Sequence, residues 1–63
     1  MEKPLYVVKP DPAGRVRYEV FGRNGRFEIV RAGGQGRVIA GFRDSLHGAE
    51  IQARNLASAE AGK

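Results

Sequence analysis

The chain has no cysteine and no tryptophan, and one histidine, three phenylalanines and two tyrosines among its 63 residues. Without cysteine there is no disulfide, no thiolate nucleophile and no thiolate metal site. One imidazole, His47, is too few for a histidine-based zinc site. No Ser-His-acid set, no His-Glu-x-x-His pair and no glycine-rich phosphate loop ending in Gly-Lys-Ser/Thr occurs. The chain is therefore expected not to be an enzyme and to use no cofactor and no metal. Long apolar runs are missing too. Nothing approaches the roughly 20 residues that span a bilayer. The four apolar residues 5–8 fall short of the about 7–15 of a secretory signal. A cytoplasmic protein with no membrane role is expected.

What is present is arginine, unevenly placed. The net charge is +4, from 11 Lys and Arg against 7 Asp and Glu. Residues 15–43 hold seven arginines and two acids, Glu19 and Glu28, so the whole excess lies in the middle of the chain. Every base in that stretch is arginine, whose planar fork suits phosphate and carboxylate better than lysine does. A chain this short buries only about 60 % of its unfolded surface. With disulfides and metals excluded, a partner subunit is the one common support the composition leaves open.

The turn signals organise the middle third. Asn24-Gly25 can supply the two positive φ angles of a type I′ turn, and is the strongest short-range hairpin signal. Gly33-Gly34-Gln35-Gly36 marks a second hairpin, and Pro10-Asp11-Pro12-Ala13-Gly14 ends a first short β-favouring run. The expected elements are strands over residues 5–9, 15–23, 26–32 and 37–43. Placing Asn24-Gly25 and Gly34-Gln35 in the loops sets Val20 opposite Ile29, Ile29 opposite Ala40, and Phe27 opposite Phe42. One face then collects Val16, Tyr18, Val20, Phe27, Ile29, Val38, Ala40 and Phe42. A slip of one residue would turn a strand over and break that agreement. The other face carries Arg15, Arg17, Glu19, Phe21, Arg23, Arg26, Glu28, Val30, Arg37, Ile39 and Arg43. Ala32-Gly33-Gly34-Gln35 resembles the Gly-Gly-Gln tip of class I peptide-chain release factors, but over three or four residues only. A glycine-rich hairpin loop accounts for the same letters.

The last third reads as a helix over residues 45–61. Ser45 or Asp44 can cap its first turn. Leu46, Ala49, Ala53, Leu56 and Ala57 recur at helical spacing, and Gly62 is a stop. Ile51 projects nearly opposite that stripe. The fold expected over residues 1–63 is a single α+β domain, an antiparallel meander of three to four strands with one C-terminal helix packed on one face. The core should be the inward strand residues together with Leu46, Ala49, Ala53, Leu56 and Ala57.

That pattern is similar to small bacterial domains of unassigned function of the YegP-like kind. Tyr6-Val7-Val8, Arg26-Phe27-Glu28-Ile29-Val30, Val38-Ile39-Ala40 and Ala49-Glu50-Ile51-Gln52-Ala53 carry the resemblance. It implies a short meander followed by an alanine-rich helix, and it implies no activity and no functional residue.

Two binding roles fit the charge and the apolar residues left outside the core. In the first, the basic sheet face binds nucleic acid. Arg15, Arg17, Arg23, Arg26, Arg37 and Arg43 are its phosphate contacts, and Phe21 stacks on an unpaired base. In the second, Val30, Ile39 and Phe21, or the Ile51 side of the helix, form the interface of a homodimer with no nucleic-acid role. Glu19 and Glu28 are expected to form ion pairs across strands rather than a catalytic carboxylate pair. His47 is expected to be a solvated or capping side chain.

Overall fold

A computed structural model of the chain describes residues 3–10, 14–34 and 36–62. Four strands, β1 (Tyr6–Val8), β2 (Arg17–Arg23), β3 (Arg26–Gly33) and β4 (Gly36–Arg43), precede one helix, α1 (Leu46–Ala61). The strands form one antiparallel sheet in the order β1-β2-β3-β4. β1 pairs with β2 of its own chain, with Tyr6 opposite Val20 and Val8 opposite Tyr18. The Leu5 N–H extends that ladder by donating to the Val20 carbonyl at 2.7 Å.

The first hairpin turns as its letters require. Asn24 and Gly25 have φ of 49° and 77°, both positive. This fixes the expected register along the whole of β2, with Arg23 opposite Arg26, Gly22 opposite Phe27, Val20 opposite Ile29 and Tyr18 opposite Arg31. The second hairpin begins as expected, with Gly33 opposite Gly36 and Ala32 opposite Arg37. Gly34 has φ 63°, while Gln35, the last letter of the release-factor-like triplet, lies outside the described residues.

Halfway along β4 the register shifts. Val30 faces Ile39, but Ile29 faces Gly41, and Ala40 is the extra residue of a β-bulge. Ile29 is thus paired with Gly41 rather than Ala40, and Phe27 with Arg43 rather than Phe42. Because strand side chains alternate, one inserted residue exchanges faces for everything beyond it. Phe42 turns away from the helix and Arg43 turns toward it, the reverse of their expected places. Val38 stays on the helix side but is 63 % exposed, and Ala40 and Phe42 are exposed as well. None of the three belongs to the core.

The helix explains why Val38 is uncovered. Ser45 caps it in an extended conformation, and its Oγ accepts the Gly48 N–H at 3.1 Å. Ala49, Ala53 and Ala57, four residues apart, form the buried seam. Methyl-sized side chains let the helix sit close to the sheet, and it lies chiefly over β2, with β3 next and β4 only at its margin. The core is Tyr18, Val20, Ile29 and the three alanines, with Tyr6, Val8, Phe27, Leu46 and Leu56 packed around it. Val16 is half-buried.

The far end of the helix is pinned by one carboxylate. Glu60 Oε1 accepts the Tyr18 hydroxyl at 2.7 Å, and Arg31 donates Nε to Oε1 at 3.1 Å and Nη2 to Oε2 at 3.0 Å. These groups line a shallow cavity of about 480 Å³ with Leu56 and Ala59, but they bond one another across it. Burial, followed by the Glu60 hydrogen bond and charge, raises the Tyr18 phenol above its ordinary pKa of 10.0, and Arg31 opposes this. A raised phenol pKa means that the folded chain holds the proton more tightly than the unfolded chain does. The stabilisation is complete below the ordinary value and is lost as pH rises through the higher folded value. In denaturation between about pH 9 and pH 11, the advantage of wild type over Tyr18→Phe should therefore shrink as pH rises. A difference that does not change with pH would contradict this linkage.

Candidate nucleic-acid interface

The centre of the sheet face that α1 leaves bare is nearly as well buried as the face it covers. Glu19, Phe21, Val30 and Ala32 all point outward, yet none is more than 6 % exposed. No second layer of secondary structure covers them among the described residues. The arginines do. Glu19 Oε2 accepts Arg17 Nε at 2.9 Å, and Glu19 Oε1 accepts Arg37 Nη2 at 2.6 Å. The Arg37 guanidinium also lies 5.5 Å from the centre of the Phe21 ring, with that of Arg23 at 6.0 Å. Arg23 Nε approaches Glu28 Oε1 at 3.5 Å. Guanidinium planes settle on aromatic faces and carboxylates while their aliphatic stems cover apolar surface. A charge alternation spread over three strands has become a thin lid of arginine over Phe21.

The lid still faces water. The side chains of Arg17, Arg23 and Arg37 keep 46 %, 51 % and 59 % of their surface exposed, whereas those of Glu19 and Glu28 keep 6 % and 15 %. The positive groups are therefore outermost and the negative groups lie beneath them. Arg26 completes the set. Its guanidinium lies 5.3 Å from the centre of the Phe42 ring. Four arginines thus stand against two recessed carboxylates on one face, so the face remains positive. The expected ion pairing of Glu19 and Glu28 is present. It runs along β2 from Arg17, diagonally from β4 through Arg37, and through Arg23.

The residues expected to act are not all brought together. Arg17, Arg23, Arg26 and Arg37 share the outer face, and Arg15 is exposed just ahead of β2. Arg43 does not join them. The bulge turns it to the helix side, where Nη2 donates to Gln52 Oε1 at 2.6 Å. Phe21 is on the right face but is 4 % exposed and roofed by Arg23 and Arg37, so no base can stack on it. Val30, a surface residue by its sequence pattern, is 6 % exposed in the interior strand β3. Ile39 and Ile51 are exposed, at 54 % and 38 %, on different layers of the molecule. His47 is exposed in the first turn of α1.

Phe42, like Arg43, is misplaced by alternation alone. It is 44 % exposed, in the row Phe21–Glu28–Phe42 across three strands. The available signal was Gly41, since a glycine inside a strand often marks a bulge.

Among the described residues, no group of three or more His, Asp or Glu side chains converges to hold a metal ion. No helix there is long and apolar enough to cross a membrane. The chain matches no protein-family model, no curated protein and no solved structure.

Proposed function

We propose that this chain is a small non-enzymatic binding module whose outer sheet face binds the phosphate backbone of nucleic acid, and that it works in the cytoplasm. One observation carries the reading. Arg17, Arg23, Arg26 and Arg37 lie outermost on one face, over carboxylates that are themselves almost covered. Glu19 and the aromatic rings hold these guanidinium groups in place, so less side-chain freedom is lost when a phosphate docks. Phosphate can approach the exposed edges of the forks without displacing the pairs below. Arg15, exposed ahead of β2, extends the basic surface.

The test is a titration of labelled mixed-sequence oligonucleotides at several salt concentrations. Binding should appear at or below about 100 μM at low salt and weaken linearly on a log–log plot, as counterion release requires. Arg26→Gln removes a cation that has no carboxylate to stabilise among the described residues, and should lower the salt slope by about one without unfolding the chain. Absence of binding at that concentration and low salt would end this reading.

A homodimer is the second reading, and a different observation favours it. β4 is an edge strand of eight residues in which every residue but Gly41 is exposed, and it carries Val38 and Ile39. Long apolar edges invite a second strand, whereas the Ala40 bulge and the flanking arginines work against one. Light scattering at two concentrations separates these outcomes: a mass that doubles with concentration supports the dimer, and a constant monomer mass opposes it.

A further inference from the structure

We propose that the outer face selects single strands, with Phe42 as the platform on which an unpaired base stacks. This inference rests on the nucleic-acid reading above and narrows it to one ligand class. Of the six large apolar residues that are well exposed among the described residues, Leu5, Val7, Val38, Ile39, Phe42 and Ile51, only Phe42 is aromatic. The bulge at Ala40 sets it on the arginine face rather than in the core. Its ring belongs to the edge strand, so a base can reach it from the open side of the sheet without crossing the arginine lid.

The neighbourhood suits a base with its phosphate attached. Arg26 lies 5.3 Å from the centre of the Phe42 ring, close enough to stack with it or to turn to a phosphate one bond away from the stacked nucleoside. Two strand spacings of about 4.8 Å each separate Phe42 from Phe21 in the same row, and the Arg37 guanidinium lies over the Phe21 ring. A single strand crossing the face would meet a ring and then a cation. The outward backbone groups of β4 lie beside the ring as donors and acceptors for a base edge. Duplex bases, by contrast, already stack on each other and offer no free face to Phe42. A duplex can use only the arginines, as can a bare phosphate chain.

Stacking on an aromatic side chain is sequence-tolerant, and its loss typically costs about five- to a hundredfold in affinity per base. The experiment uses the full chain and three labelled probes of about a dozen nucleotides: a mixed-sequence single strand, its duplex, and an abasic strand with the same phosphates. Each is titrated against wild type and Phe42→Leu, which keeps an apolar side chain at an exposed position. Circular dichroism confirms that the variant is folded. The inference expects the single strand to bind about tenfold or more tighter than the other two. It also expects Phe42→Leu to lose about tenfold on the single strand alone. Equal affinity for all three probes with no change in the variant would overturn stacking but leave phosphate binding standing. Failure of every probe to bind would overturn both.

Discussion

Gly33→Ala is expected to destabilise the domain by about 3 kcal/mol or more, a large share of the stability of a domain this small. Two costs combine at this position. Gly33 has φ 128°, a region that side-chain-bearing residues rarely enter. An added Cβ would also run into the Arg15 carbonyl oxygen and lie 2.8 Å from Val16 Cα, where the end of β3 crosses the chain entering β2. Both obstacles are backbone and cannot swing aside. Gly25 and Gly34 provide the control, because both have positive φ but no atom within 4 Å of an added Cβ. Alanine there should cost only about 1–2 kcal/mol of local strain. Urea denaturation of the three variants measures the difference. If Gly33→Ala is no worse than Gly25→Ala, β3 does not pass that close to residues 15–16.

Ile29→Ala is the second large effect. Ile29 and Val20 are the largest side chains that are fully buried, and they face each other across β2 and β3 under the alanine seam of α1. Truncating a buried isoleucine costs about 2–5 kcal/mol, part from lost transfer energy and part from the cavity left behind. A domain of 63 residues has only about 3–9 kcal/mol of stability in total. The variant should lose most of its cooperative transition. Ile39→Ala removes the same atoms at a position 54 % exposed on the edge strand, and should stay within about 0.5 kcal/mol of wild type. Equal losses at the two positions would mean that Ile39 is buried as Ile29 is, and not open to solvent on the edge strand.

The contrast between Ile29 and Ile39 also marks how far the sequence could be read. Asn24-Gly25 is a local signal with one good solution, and it sets the β2–β3 register along its full length. Ser45 and the Ala49–Ala53–Ala57 spacing define the helix and the side it buries in the same local way. β4 is different. A bulge adds a residue without changing the hydrophobic letters, so strict alternation sends Phe42 inward and Arg43 outward, and the chain does the opposite. Gly41 was the only hint. Val38 is uncovered for another reason, because the crossing position of the helix over β2 is set by packing and not by spacing.

Phe21 and Val30 show a third limit. A pattern of arginine beside phenylalanine reads as a charged face with exposed rings. Long arginine stems can instead fold over those rings when Glu19 and Glu28 stand between them to hold the guanidinium groups. The outer face was recognisable as basic, but which aromatic it would offer depended on contacts between strands far apart in sequence. Of the six arginines expected to act, five lie on or beside one face and only Arg43 leaves it.

The bulge at Ala40 places Phe42 among the arginines, and the stacking site depends on it. Nuclear Overhauser contacts from the Phe42 ring test it most directly. The ring protons should show contacts to Arg26 and to Glu28, its neighbour across β3, and none to Val20, Ile29 or the alanines of α1. Contacts from Phe42 to Ile29 or Ala53 would place the ring in the core, restore unbroken alternation along β4, and contradict both the site and the stacking role built on it.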